Sequence, residues 1–170
     1  LTQKELLELL VNNGYDYNIK QHSPLFTVED SNKLRGEIKG LHSKNLFLKN
    51  KKNKFFLFSC QEFTSINLKS ISKSLNLGNV SFARSEYLLK LLGIQPGSVT
   101  PFALLNNIEN DIDFYLEDRL YESEYINFHP LTNTATVTIK SQDFVRFMIE
   151  NKKKIHIFSS LKEAVVNTYG

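Results

Sequence analysis

Four histidines, one cysteine and a lysine–asparagine pair are the side chains from which this 170-residue chain could assemble a reactive site. His22, His42, His129 and His156 form no HExxH motif or comparable pair, so no metal site is expected. With Cys60 as the sole cysteine, an intramolecular disulfide and every zinc site built from several cysteines are excluded. Cys60 closes the apolar run Phe55-Phe56-Leu57-Phe58-Ser59, where a thiol is an inert core residue rather than a nucleophile. There is no GxSxG elbow for a serine hydrolase and no Walker or GxGxxG loop for a nucleotide.

Three segments still carry chemistry. Gly40-Leu41-His42-Ser43-Lys44-Asn45-Leu46-Phe47-Leu48 brings a histidine, a lysine and an asparagine into a predicted strand, where His42 and Lys44 share a face. Gly93-Ile94-Gln95-Pro96-Gly97-Ser98-Val99-Thr100-Pro101-Phe102 has the glycines and prolines of a rigid turn with free backbone N–H groups. Asn127-Phe128-His129-Pro130-Leu131-Thr132-Asn133-Thr134-Ala135-Thr136 puts a histidine at the end of one strand, just before another.

These residues need a scaffold, and the chain is long enough to bury one without a staple. Hydrophobic residues make up 41% and charged residues 23%, ordinary for a soluble globular protein, and no repeat or linker divides the chain, so residues 1–170 read as a single domain. No apolar run is long enough to cross a bilayer and the start lacks a signal-peptide pattern, so a reducing cytoplasm is the expected compartment. A net charge of +3 allows contact with a few phosphates but not the coating of nucleic acid. Lys49, Lys51, Lys52 and Lys54 read as a solvated hairpin turn before a phosphate contact.

Thr2 and Glu5 form a capping box for an opening helix, with Gly14 just past its end. Tyr15 to His22 alternates like a strand, and Thr27-Val28-Glu29-Asp30 starts a short helix. Residues 45–49 and 55–59 form a hairpin, helices follow near 68–76 and 84–92, and Gly78 and Gly93 stop them. Strands are expected at 114–116, 125–128, 134–139 and 155–158, with an amphipathic helix over 141–151 capped by Ser141. Helices interleave with short strands without a strict βαβ rhythm, which predicts an α/β (mixed α+β) fold around a largely antiparallel mixed sheet.

Taken together, His22-Ser23-Pro24-Leu25-Phe26-Thr27-Val28-Glu29, Lys44-Asn45-Leu46-Phe47-Leu48, Pro96-Gly97-Ser98-Val99-Thr100-Pro101-Phe102 and Asn127-Phe128-His129-Pro130 resemble, in order, the YbaK-like family of aminoacyl-tRNA deacylases. That family is related to the editing domain inserted in bacterial prolyl-tRNA synthetases. The resemblance runs from about Leu6 to Phe147 and is greatest to the freestanding branch that hydrolyses alanyl-tRNA(Pro), the PrdX or ProXp-ala type. It implies a curved mixed sheet surrounded by helices.

It also implies a site. Lys44 is similar to the family's functional lysine and would hold the phosphate beside the terminal adenosine of the tRNA. Asn45 would hydrogen-bond substrate, and His129 would stand near the aminoacyl group. Gly97, Ser98, Val99, Thr100 and Pro101 resemble the family's GxxxP loop, whose backbone would approach the ester. His42, Pro24 and Phe26 are candidate substrate contacts. The activity implied is hydrolysis of the aminoacyl ester of mischarged tRNA(Pro), with no metal or organic cofactor. The partners implied are the tRNA(Pro) acceptor end and prolyl-tRNA synthetase. A single cleft lined by Lys44, Asn45, His129 and the 97–101 backbone is expected, with an apolar inner wall near the size of a methyl group and Cys60 outside it. The rival readings are a deacylase of cysteinyl-tRNA(Pro) or another aminoacyl-tRNA, and a non-catalytic module that binds tRNA or a synthetase.

Overall fold

The computed structural model describes residues 1–24, 29 and 38–170. Helix α1, Gln3–Asn12, begins as its capping box requires: the Thr2 hydroxyl accepts from Glu5 N–H while the Glu5 carboxylate accepts from Thr2 N–H. Leu6 and Leu10, four residues apart on one face, are fully buried. Gly14, at φ +81°, turns the chain into β1, Asn18–Gln21, shorter than the alternation suggests and exposed along its length. The expected helix at Thr27–Asp30, Glu29 apart, lies outside the described residues.

The centre is the hairpin of β2, Leu41–Asn50, and β3, Phe55–Gln61, antiparallel in a register from Ser43↔Gln61 to Lys49↔Phe55. Asn50 shapes the turn, its Oδ1 accepting from Lys52 and Lys54 N–H. β3 is buried on both faces, which is why its sequence is continuously apolar rather than alternating. Phe55 and Leu57 join the larger hydrophobic cluster on one face; Phe56, Phe58 and Cys60 join a smaller cluster on the other.

After the hairpin come α2, Leu68–Ser74, and β4, Val80–Phe82, paired with the end of β2. Asn76, not Gly78, takes the first left-handed conformation after α2, at φ +57°, so the helix ends sooner than expected. A single turn α3, Ser85–Tyr87, widens into a π-helical turn at Leu88–Leu92 that Gly93 stops at φ +66°. A 3₁₀ segment, Pro101–Asn106, precedes β5, Ile112–Glu117, and α4, Asp118–Glu122. Then follow β6, Tyr125–Phe128; β7, Ala135–Lys140; α5, Ser141–Glu150; β8, Ile155–Ser159; and β9, Ala164–Tyr169. Ser141 does not cap α5 as expected. Lys140 holds the N-cap position, and the Ser141 hydroxyl meets Ser123 inside the first turn.

The described strands form one mixed sheet in the order β1-β7-β6-β2-β3-β5-β8-β9, with β4 also on β2. Pairing is antiparallel except for β2–β6, β3–β5 and β5–β8. α5 buries Phe144, Phe147 and Met148 on the larger cluster, where the Phe144 ring meets Phe102, Phe114 and Phe128. Among the described residues, no helix is long and apolar enough to cross a membrane.

Candidate active site

Two pairings position the candidate residues. β6 runs parallel to the start of β2 for only Leu41↔Ile126 and His42↔Asn127, then ends at Phe128. β2 continues and meets β4 only at Leu48. The sheet therefore parts on that edge of β2 beside Ser43 to Leu46, and His129 stands at the parting, one residue beyond β6.

Asn127 holds this junction. It is buried, its Nδ2 donates to the carbonyls of Lys39 and Leu41 at 2.9 and 3.2 Å, and its Oδ1 accepts from the Thr138 hydroxyl. The Ser43 hydroxyl donates to Asn127 O at 2.8 Å. Gly40 makes the close approach possible. At φ +87°, it lies where an added Cβ would be 2.5 Å from Tyr125 O.

A cavity of about 30 Å³ lies at the parting, lined among the described residues by His42, Ser43, Asn45, Asn127, His129 and Thr136, with Phe128 as an apolar wall residue. Asn45 is fixed from both sides: its Nδ2 faces Ser43 Oγ at 3.4 Å and its Oδ1 accepts from Ser59 Oγ. His129 Nδ1 lies 3.1 Å from Ala135 O. A carbonyl only accepts, so Nδ1 carries the proton and Nε2 is left as the basic nitrogen. Burial pulls the His129 pKa below its ordinary 6.5, against the Ala135 hydrogen bond, with His22 and His42 adding to the depression. The imidazole is thus neutral at neutral pH.

His22 belongs to the same cluster. Its ring is 6.3 Å from that of His129, its Nδ1 donates to Ser23 O, and its Nε2 meets the Thr136 hydroxyl at 2.8 Å. Among the described residues, no group of three or more histidine, cysteine or acidic side chains is placed to hold a metal ion.

The expected cleft is met in part. Asn45, His129 and His42 line one cavity, and Cys60 is outside it, buried in the smaller cluster with its thiol pushed up to about 12, chiefly by burial. Lys44 does not line that cavity. Strand alternation turns it to the face opposite Asn45, the face of His42 and of Cys60, its directly paired neighbour. Lys44 and Asn45, adjacent in sequence, therefore leave opposite faces of β2.

The 97–101 loop is not among the lining residues either, and two of its polar groups are engaged locally. Pro96–Gly97 makes a turn with Gly97 at φ +87° and Ser98 N–H on Gln95 O. Ser98, Thr100 and Pro101 are buried, Val99 is half-buried, and the Thr100 hydroxyl caps the 3₁₀ segment. Among the described residues the lining, expected to be apolar, is mostly polar, because the sheet parts here and exposes hydroxyl, amide and imidazole groups. Pro24 is exposed, and Phe26 lies outside the described residues.

Ser43, Asn127, Thr136 and His22 belong to the site as well, although the sequence marks them only as members of longer segments. Thr136 and Thr138 alternate on one face of β7, a usable signal, whereas the β2–β6 pairing that recruits Asn127 spans more than eighty residues.

The fold is that of an aminoacyl-tRNA editing domain. Residues 22–147 match the model of the aminoacyl-tRNA editing domain, and the chain belongs to that family of aminoacyl-tRNA deacylases. It is 39% identical over 133 residues to prolyl-tRNA synthetase associated domain-containing protein 1 of Xenopus laevis, covering 75% of this chain and 79% of that one. It is 28% identical over 148 residues to the prolyl-tRNA editing protein ProX of Acetoanaerobium sticklandii, covering 86% and 88%. A crystal structure described as a proposed trans-editing enzyme for prolyl tRNA synthetase superposes with a TM-score of 0.69 at 16% identity, over 92% of this chain and 94% of that one.

Proposed function

We propose that residues 1–170 act as one editing domain that hydrolyses the ester of alanyl-tRNA(Pro) and spares prolyl-tRNA(Pro). The observation that carries the reading is the polar cavity against His129. Its volume is close to the share of one molecule in liquid water, and a bound water needs 2–4 polar partners. Such a site suits the attacking water of an ester hydrolysis. In this reading the neutral His129 takes a proton from that water at Nε2, and Asn45, held by Ser59 and Ser43, orients the ester. Lys44, two residues along the strand from His42 and so about 6.6 Å away on the same face, holds the phosphate of the terminal nucleotide. An aminoacyl ester is already reactive, so no covalent nucleophile is required.

Selectivity for alanine follows from a size argument. A synthetase pocket built for proline cannot strongly reject a smaller amino acid, because a missing methylene is worth only about 1–3 kcal/mol. A second, smaller site removes that product. The names of the relatives, with their prolyl-tRNA associations, support tRNA(Pro) as the carrier and prolyl-tRNA synthetase as a partner. The test is deacylation of alanyl-, cysteinyl-, seryl- and prolyl-tRNA(Pro) by the purified chain. Rapid release of alanine with prolyl-tRNA(Pro) intact is the expected result. Equal rates on both reject the sieve, and faster release of cysteine moves the specificity to that amino acid.

A further inference from the structure

The end of the sheet away from His129 holds a second feature, which the editing reaction does not use. Where β5 and β8 begin, a cavity of about 230 Å³ opens between the 107–113 turn and the Lys152-Lys153-Lys154 run that follows α5. β3 has seven residues and reaches from this end to the other, so the two cavities are separated by about 20 Å.

Lys153 forms part of the wall and is nine-tenths buried. Its Nζ donates to Asn107 O at 2.9 Å and to Asn110 Oδ1, both uncharged acceptors. No carboxylate lies within 4.0 Å of it among the described residues. Buried lysines are almost always paired with an opposite charge, because the desolvated ammonium is otherwise costly. Burial accordingly holds the Lys153 pKa below its usual range.

Exposed Lys152 and Lys154 line the same cavity, and the backbone of Lys152 is held at φ +63°. The lining carboxylate, Asp113, is engaged by Lys54 at 3.4 Å. The Asp111 carboxylate, exposed beside the turn, accepts from Asn107 Nδ2. His156, the remaining titratable lining residue, has its pKa lowered, first by burial. Three lysines thus line a space of about eight water volumes, together with one carboxylate already paired.

We propose that this cavity binds a phosphate group, with Lys153 supplying the buried charge and Lys152 and Lys154 closing on it from the mouth. Lysine binds phosphate as a compact point charge, and here the bound anion is the counter-ion the wall lacks. The phosphate comes either from the RNA backbone or from a free phosphate or mononucleotide.

The test titrates inorganic phosphate into the full chain and follows backbone amides by NMR, using the wild type, Lys153→Met and the double variant Lys152→Ala/Lys154→Ala. Saturable shifts at Asn110, Lys153 and His156 are expected. The double variant, whose side chains are exposed, should keep its fold and bind roughly fivefold more weakly. Lys153→Met should remove the response; if that variant does not fold, the double variant carries the comparison.

A second arm measures binding of uncharged tRNA against salt concentration. A slope reduced by between about 1 and 2 in the double variant assigns the phosphate to RNA. An unchanged slope, with phosphate shifts that the double variant weakens, assigns it to a small ligand. Non-saturating phosphate shifts scattered over the surface, together with an unchanged slope, would overturn the proposal and leave Lys153 as a clasp for the 107–110 turn. Neither arm measures ester hydrolysis, so the outcome is independent of the editing reading.

Discussion

His129 has one nitrogen committed to Ala135 O, which leaves a base whose protonation is set by its surroundings. Because burial and the two neighbouring histidines lower its pKa, the neutral form persists above the ordinary value of 6.5 and for some distance below it. We expect kcat/KM for alanyl-tRNA(Pro) to be level above about pH 6.5 and to fall on the acid side as His129 protonates. His129→Ala should lower kcat by about 10²–10⁴-fold and abolish that acid limb. An acid limb preserved in the variant would assign the titration to another group. Lys44 makes a separate prediction, because it faces away from Asn45. If it holds a phosphate, Lys44→Ala should cost about 1.5–3 kcal/mol of transition-state binding, the range for a hydrogen bond to a charged group. Lys51→Ala and Lys52→Ala, on the exposed hairpin turn, should change kcat/KM by less than about twofold. The reverse ranking in steady-state kinetics would move the phosphate contact to the hairpin.

At the scale of elements, the site depends on β2 leaving β6 after two residue pairs, and Gly40 sets where that begins. A Cβ at this position would be 2.5 Å from Tyr125 O and 2.7 Å from Tyr125 Cβ, and φ is +87°. Gly40→Ala should therefore destabilise the fold by about 1–3 kcal/mol from backbone strain alone, with the clash adding to that. Urea unfolding measures it, and an unchanged midpoint would mean that β2 can shift without cost. The hairpin and α5 were legible in the sequence because Asn50 to Asn53 and the Phe144-Phe147-Met148 stripe are local signals. His42, Lys44 and Asn45 were legible only as a segment. Which face each took depended on the Ser43↔Gln61 register, and that Lys44 opposes Cys60 while Asn45 opposes Ser59 follows from nothing nearby in the chain. β9 escaped notice because its burial does not alternate and its pairing partner supplies the order. The junction of β2 with β6 was illegible for a related reason. A parallel pair of two residues leaves no periodicity, and the asparagine that secures it looks like any other in the sequence.

Over the whole molecule, two of the four histidines, His129 on the edge of the editing cavity and His156 at the other end of the sheet, have pKa values lowered chiefly by burial. The unfolded chain returns both to about 6.5. Between that value and the lower folded values, the unfolded state binds more protons, so stability rises with pH through this window. The contribution is complete above pH 6.5 and is lost as pH falls from 6.5 through the folded values. We expect the urea midpoint to decline between about pH 7 and pH 5, and the decline to flatten in His129→Gln/His156→Gln, which removes both titrations. The two rings belong to separate neighbourhoods, one at Ala135 and the other at Thr168, so the single variants should each remove part of the slope and their effects should add. A midpoint that stays constant over this range in the wild type would show that the folded and unfolded chains hold these protons equally, and burial would then not lower the two imidazole pKa values.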